Sequence, residues 1–158
     1  MATAAEQKQM VFLRLQGQTF TRIRPSVISP KGVGTFAIVD IPEGTPLFLD
    51  CRHSETVFFT NKELASLPLA VRKVLWDFCV HTKTGISVPI CGMNNLPMKY
   101  YLNHSKEAPN LKNAITAEGV FYFTTRRLIK EGEELCWDYS AVEDVSYMDS
   151  AGWSNDGT

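Results

Sequence analysis

Three short segments carry residue types that could do chemistry. Lys31-Gly32-Val33-Gly34 sets two glycines around one residue, which lets backbone approach a ligand closely. A turn entering a strand accounts for the same residues. Tyr101-Leu102-Asn103-His104-Ser105 runs on to Pro109-Asn110 and places an Asn-His-Ser triplet at the end of an apolar stretch. Its plain structural reading is a loop capped by Asn and Ser side chains. The third segment, Glu131 to Tyr139 (EGEELCWDY), reads on structural grounds as a charged turn entering an edge strand. Each is ambiguous alone, and their joint order and spacing carry the signal.

The elements that must position these segments are short. Val11 to Leu15 is expected as a first strand after a frayed start over residues 1–8. Val33 to Asp40 is a strand with alternating faces, and Ile41 to Pro46 (IPEGTP) is a turn by its own chemistry. Leu47 to Leu49 and Thr56 to Phe59 are further strand candidates. Thr60 and Glu63 form a capping-box pattern. Leu67, Val71, Val74, Leu75 and Phe78 recur at helical spacing, with Pro68 in the first turn and an end near His81. Ile86 to Ile90, Gly119 to Thr125 and Leu135 to Tyr139 complete the strands, with Lys130-Glu131-Gly132 as a turn. The pattern is α+β, mainly β, and most connections are too short for a doubly wound parallel sheet.

Composition narrows the class. The chain has 158 residues, 44% hydrophobic and 21% charged, which suits one folded domain and excludes a disordered or fibrous chain. A net charge of −1 gives no reason to expect direct nucleic-acid binding. No apolar run approaches the ~18–20 residues of a membrane span, and the first nine residues lack the apolar core of a secretory signal. An intracellular protein, nuclear or cytoplasmic, is expected. Cys51, Cys79, Cys91 and Cys136 form no CxxC or CxC pair, so they read as reduced thiols with no metal site and no disulfide framework.

Taken together, the three segments resemble the SET-domain protein lysine methyltransferases. Lys31–Gly34 with Thr35-Phe36-Ala37 matches the family's GxG turn. Asn103-His104-Ser105 with Pro109-Asn110 matches NHSxxPN, and Glu133 to Tyr139 matches GEELxxDY. The resemblance spans about Arg22 to Tyr139. It implies a β-clip of small curved sheets with a C-terminal pseudoknot that brings Tyr139 close to Asn103 and His104. It divides the chain into an N-terminal extension or first strand at 1–20, a SET domain at 21–140 and a tail at 141–158. It implies S-adenosylmethionine as cofactor and a lysine-bearing protein or peptide, a histone tail first, as substrate. Tyr139 would be catalytic. Lys31, Gly32, Val33, Gly34, Tyr100, Asn103 and His104 would bind cofactor, and Tyr101 and Trp137 would wall the substrate channel.

Some positions depart from the family pattern. Trp137 stands where Phe or Tyr is usual, and its bulk in the channel would favour monomethylation. Lys106-Glu107-Ala108 makes the Asn-His segment one residue longer than the usual form. No cysteine follows Cys136, so the zinc-bearing segment of many relatives is missing, and Tyr147 or Trp153 would close the cofactor end as a lid. Two competing readings remain at this point: a non-catalytic SET-like protein-interaction module, and methyl transfer to a side chain such as histidine. Neither the target lysine nor the oligomeric state is written in the sequence.

Overall fold

A computed structural model describes residues 3–29, 32–49, 56–117 and 120–141. The chain begins with helix α1, Ala4–Gln18, not with the frayed start and first strand expected at 1–15. Local chemistry explains the difference. The Thr3 hydroxyl accepts from the Glu6 N–H, and the Glu6 carboxylate accepts from the Thr3 N–H at 2.7 Å, a reciprocal cap. The following Ala, Glu, Gln, Lys, Met, Leu and Arg residues are good helix formers. None of the α1 residues is buried.

Three small sheets follow. In the first, β1 (Thr21–Pro25) pairs antiparallel with β2 (Val33–Ala37), with Ile23 opposite Thr35. The second joins β3 (Pro46–Leu47), β9 (Phe121–Thr125) and β8 (Leu111–Ile115). The third joins β4 (Thr56–Thr60), β6 (Gly85–Pro89) and β5 (Val80–His81). Hairpin-like links with positive-φ glycines turn the chain between them, as at Gly44 (φ 77°) and Gly132 (φ 86°). Strand β8 was not foreseen, because Lys112 and Asn113 hide its alternation.

Two helices lie beside the third sheet. Helix α2 (Asn61–Leu64) starts at the expected Thr60–Glu63 capping box. Helix α3 (Leu69–Phe78) follows Pro68. It ends three residues earlier than its periodicity suggests, because Cys79 turns extended and Val80–His81 pair with Ser87 and Ile86. Of its apolar face only Leu75 is buried; Val71 and Val74 remain 41% and 39% exposed. Among the described residues no helix is long and apolar enough to cross a membrane, and no group of three or more His, Cys, Asp or Glu could hold a metal ion.

The main core lies where the first two sheets meet. Ile41, Ile129 and Leu135 are fully buried there, each contributing about 1.5–3 kcal/mol by leaving water. Ile41 and Ile129 also exchange backbone hydrogen bonds at 2.8 and 2.9 Å, closing the loop before the last strand. Of the cysteines, Cys79 and Cys136 are buried and Cys91 half-buried, all as free thiols; Cys51 lies outside the described residues. Burial pushes the Cys79 thiol up to about 12.

Strand β10 (Glu134–Trp137) runs between β2 on one side and β7 (Asn103–His104) on the other. It is antiparallel to β2 and parallel to β7, with Cys136 opposite Asn103 and Trp137 opposite His104. The Ser105 N–H donates to the Trp137 carbonyl at 3.0 Å, and the Asn110 N–H to the Cys136 carbonyl at 3.1 Å. Both ends of the 103–110 segment are therefore tied to the same strand, which is the expected knot-like crossing. The turn that feeds β10 is braced by a two-bonded Arg127–Glu133 pair at 2.8 and 3.2 Å. The Arg127 guanidinium holds the Glu133 carboxyl below the ordinary carboxylate range.

Candidate active site

The β2–β10–β7 strip brings the three sequence segments to one place. The Asn103 amide nitrogen donates to the Val33 carbonyl at 2.9 Å, to the Glu134 carboxylate at 2.7 Å and to the Ser26 hydroxyl at 3.1 Å. One side chain thus links the glycine-flanked turn, the Asn-His segment and the acidic segment. Gly34 lies directly beneath this contact. A Cβ there would sit 2.0 Å from Glu134 Oε1 and 3.0 Å from Asn103 Nδ2, so no side chain fits without displacing both. Its role is close approach of buried polar groups, and its backbone φ is ordinary.

Sequence reasoning missed Glu134 as a site residue. It is 7% exposed, and its carboxylate accepts from the Ser26 hydroxyl and from the Val27 and Ile28 N–H groups at 2.7, 2.8 and 3.2 Å. These contacts hold the loop between β1 and β2. Alternation gave no signal for it: Leu135 and Trp137 mark one face of the strand, and Glu134 falls on the other, yet all four residues of β10 are buried. Asn110 was quoted in the motif but given no task. It is 2% exposed; its amide donates to the Glu134 carbonyl at 2.8 Å and accepts the Cys136 N–H at 2.9 Å.

His104 and Tyr139 face each other with ring centroids 5.0 Å apart. The Tyr139 N–H donates to His104 Nδ1 at 3.1 Å, so the neutral ring carries its proton on Nε2. Asp138 lies nearby, its Oδ1 4.0 Å from His104 Nδ1. The Ser140 hydroxyl, bonded to the Asp138 carboxylate at 2.6 Å, holds that carboxyl below its usual range. The Tyr139 hydroxyl donates to the Leu102 carbonyl at 2.5 Å. With its proton engaged, the phenolic oxygen offers lone pairs and acts as an acceptor.

Trp137 is buried and packs on Phe121, Phe123 and Tyr139, the last at 5.0 Å between ring centroids. It forms the wall of the aromatic cluster that backs Tyr139. Tyr101 is half-buried and packs edge-on against Phe78 at 5.4 Å. Tyr100 is half-buried too, with the Lys99 ammonium 5.5 Å from its ring centre. Gly32 and Val33 are exposed at the start of β2. Lys31, Tyr147 and Trp153 lie outside the described residues.

Comparison with known proteins identifies the fold family. The model of the family described as SET domain matches residues 32–140. Among solved structures, a candidate histone methyltransferase of Plasmodium falciparum is 20% identical, with a TM-score of 0.48 over 77% of this chain and 94% of that one. A humanized mutant of the Chaetomium thermophilum Polycomb Repressive Complex 2, bound to an inhibitor, is 23% identical, with a TM-score of 0.50 over 80% of this chain. The match takes in 16% of that longer chain. A sequence search of curated proteins finds no match.

Proposed function

Because the chain belongs to the SET domain family, we propose that it is a protein lysine N-methyltransferase using S-adenosylmethionine. The observation that carries this reading is the convergence of Asn103, His104 and Tyr139 on one strip. Tyr139 is hydrogen-bonded to His104, and Asn103 is held by the glycine turn. A scaffold that only binds a partner has no need of all three. The cofactor fits the residues present: Gly32 and Val33 leave exposed backbone at the start of β2, and Asn103 offers a polar atom to a zwitterionic amino-acid end.

When bound, the cofactor supplies a methyl group made electrophilic by its sulfonium. The rest is alignment by the protein. The backbone of Gly32 to Gly34, with Asn103 and His104, binds the amino-acid and adenine portions, and Tyr100 adds backbone contact. Tyr101 and Trp137 flank the lysine chain, and an apolar channel disfavours its ammonium form, whose pKa in water is about 10.4. The Tyr139 oxygen accepts a hydrogen bond from the amine N–H and so points the nitrogen lone pair along the transfer axis. Holding the reactants so is the kind of effect that can lower a barrier by up to roughly 7–11 kcal/mol. A histone tail is the first substrate to offer, since its lysines lie on extended, accessible chain.

Calorimetric titration of the full chain with S-adenosylmethionine tests the reading. Saturable binding that is lost in Asn103→Ala supports it, and labelled methyl groups then report the acceptor. Absence of binding at millimolar cofactor would favour the interaction-module reading. Product distribution tests the role of Trp137. Its indole backs the Tyr139 ring, so Trp137→Phe enlarges the space around the amine. The variant is expected to shift product from monomethyl-lysine toward di- and trimethyl-lysine by mass spectrometry. An unchanged distribution would make Trp137 a core residue only.

A further inference from the structure

The orientation of the Asn103 amide is decided by Glu134. Oε2 of Glu134 takes two backbone donors, Val27 N–H at 2.8 Å and Ile28 N–H at 3.2 Å. Oε1 takes the Ser26 hydroxyl and the Asn103 Nδ2, each at 2.7 Å. On its other side Nδ2 meets the Val33 carbonyl at 2.9 Å. A carboxylate and a backbone carbonyl can only accept. The amide can therefore face them with its NH2 group and not with its oxygen. No hydrogen bond among the described residues engages Asn103 Oδ1, and the amide carbon skeleton directs it away from Glu134.

We propose that Glu134 is a positioning residue that pins Asn103 with Oδ1 outward, so that the site selects a donor, the α-ammonium, at the amino-acid end of the cofactor. The inference rests on the methyltransferase reading above. An unpinned amide could rotate and present either NH2 or oxygen, and it would then lose its preference for a cationic donor. Glu134→Gln keeps size and shape but changes that outcome. The glutamine oxygen takes the place of Oε2, because two fixed N–H groups sit there. Its NH2 then faces the Asn103 NH2, while Val33 still demands a donor. Asn103 cannot satisfy both neighbours and loses its single orientation.

The test uses the full chain and two thioethers, S-adenosylhomocysteine and its counterpart with the α-amino group replaced by hydrogen. Wild type should bind the first at least about tenfold more tightly, the worth of one hydrogen bond to a charged group. In Glu134→Gln the first ligand should weaken to the level of the second, whose own affinity stays within about twofold of wild type. Equal weakening of both ligands would make Glu134 a structural residue and overturn the proposal, as would no change in either. A wild type that binds both thioethers equally overturns this inference alone. A wild type that binds neither overturns the methyltransferase reading with it. Where the variant does not fold, the wild-type Asn103 side chain serves by NMR. Its Nδ2 protons should keep their shifts and exchange protection when S-adenosylhomocysteine is added, and movement of those protons on binding overturns the proposal.

Discussion

Tyr139→Phe should lower the rate of methyl transfer on the order of 100-fold while leaving cofactor affinity within about threefold of wild type. The ring stays where it is, because Trp137 and His104 pack against it at 5.0 Å each and the backbone N–H still bonds to His104. Only the oxygen is lost. That oxygen is pre-set as an acceptor, since its proton is committed to the Leu102 carbonyl at 2.5 Å. As methyl transfers, positive charge moves from sulfur to the attacking nitrogen. A fixed lone pair aimed at the amine stabilises the developing charge more than the ground state, so its loss falls on the chemical step. Single-turnover kinetics with labelled cofactor separate that step from binding. A variant with an unaltered rate constant would show that the phenolic oxygen takes no part, and would leave Tyr139 as a packed residue in the 3-10 turn (Tyr139–Ala141) after β10.

The stretches of this fold that were legible in the sequence are those fixed by neighbours in the chain. Thr60 and Glu63 lie three residues apart, and their side chains meet the backbone as the capping pattern requires, with the Thr60 N–H on the carboxylate at 2.7 Å. The Pro42–Gly44 and Lys130–Gly132 turns likewise follow from local φ preferences. What failed had one of two causes. The N-terminal helix was read as a strand because its apolar residues cluster from Met10 to Leu15, and clustering without a clear period does not choose between the two. The site's supporting contacts were illegible for a different reason. Ser26 is 108 positions from Glu134, and Asn103 is 31 positions from it. Nothing in local spacing joins such residues. The motif resemblance singled out Asn103, His104 and Tyr139, while the buried carboxylate that holds Asn103 is visible only in the folded chain.

The strongest effect on stability should come from Asn110→Ala. Strand β10 gives its backbone to β2 at Glu134 and Leu135 and to β7 at Cys136 and Trp137. The Glu134 carbonyl and the Cys136 N–H are completed by the Asn110 side chain, which bonds them at 2.8 and 2.9 Å inside the protein. Alanine leaves a buried acceptor and a buried donor without partners, at about 1–3 kcal/mol each. The melting temperature should fall by roughly 5–15 °C for a chain of this size. Asn110→Asp separates polarity from volume. It keeps the side-chain size and still accepts from Cys136, but it sets a carboxylate oxygen against the Glu134 carbonyl. Asp should therefore be no milder than Ala if the hydrogen bonds matter, and much milder if the side chain only fills space. A fall of less than about 3 °C in Asn110→Ala would mean that the strand finds other partners. Because Asn110 grips the backbone of the residue whose carboxylate holds Asn103, both variants should also weaken cofactor binding. Stability and ligand affinity then rest on the same four-residue strand.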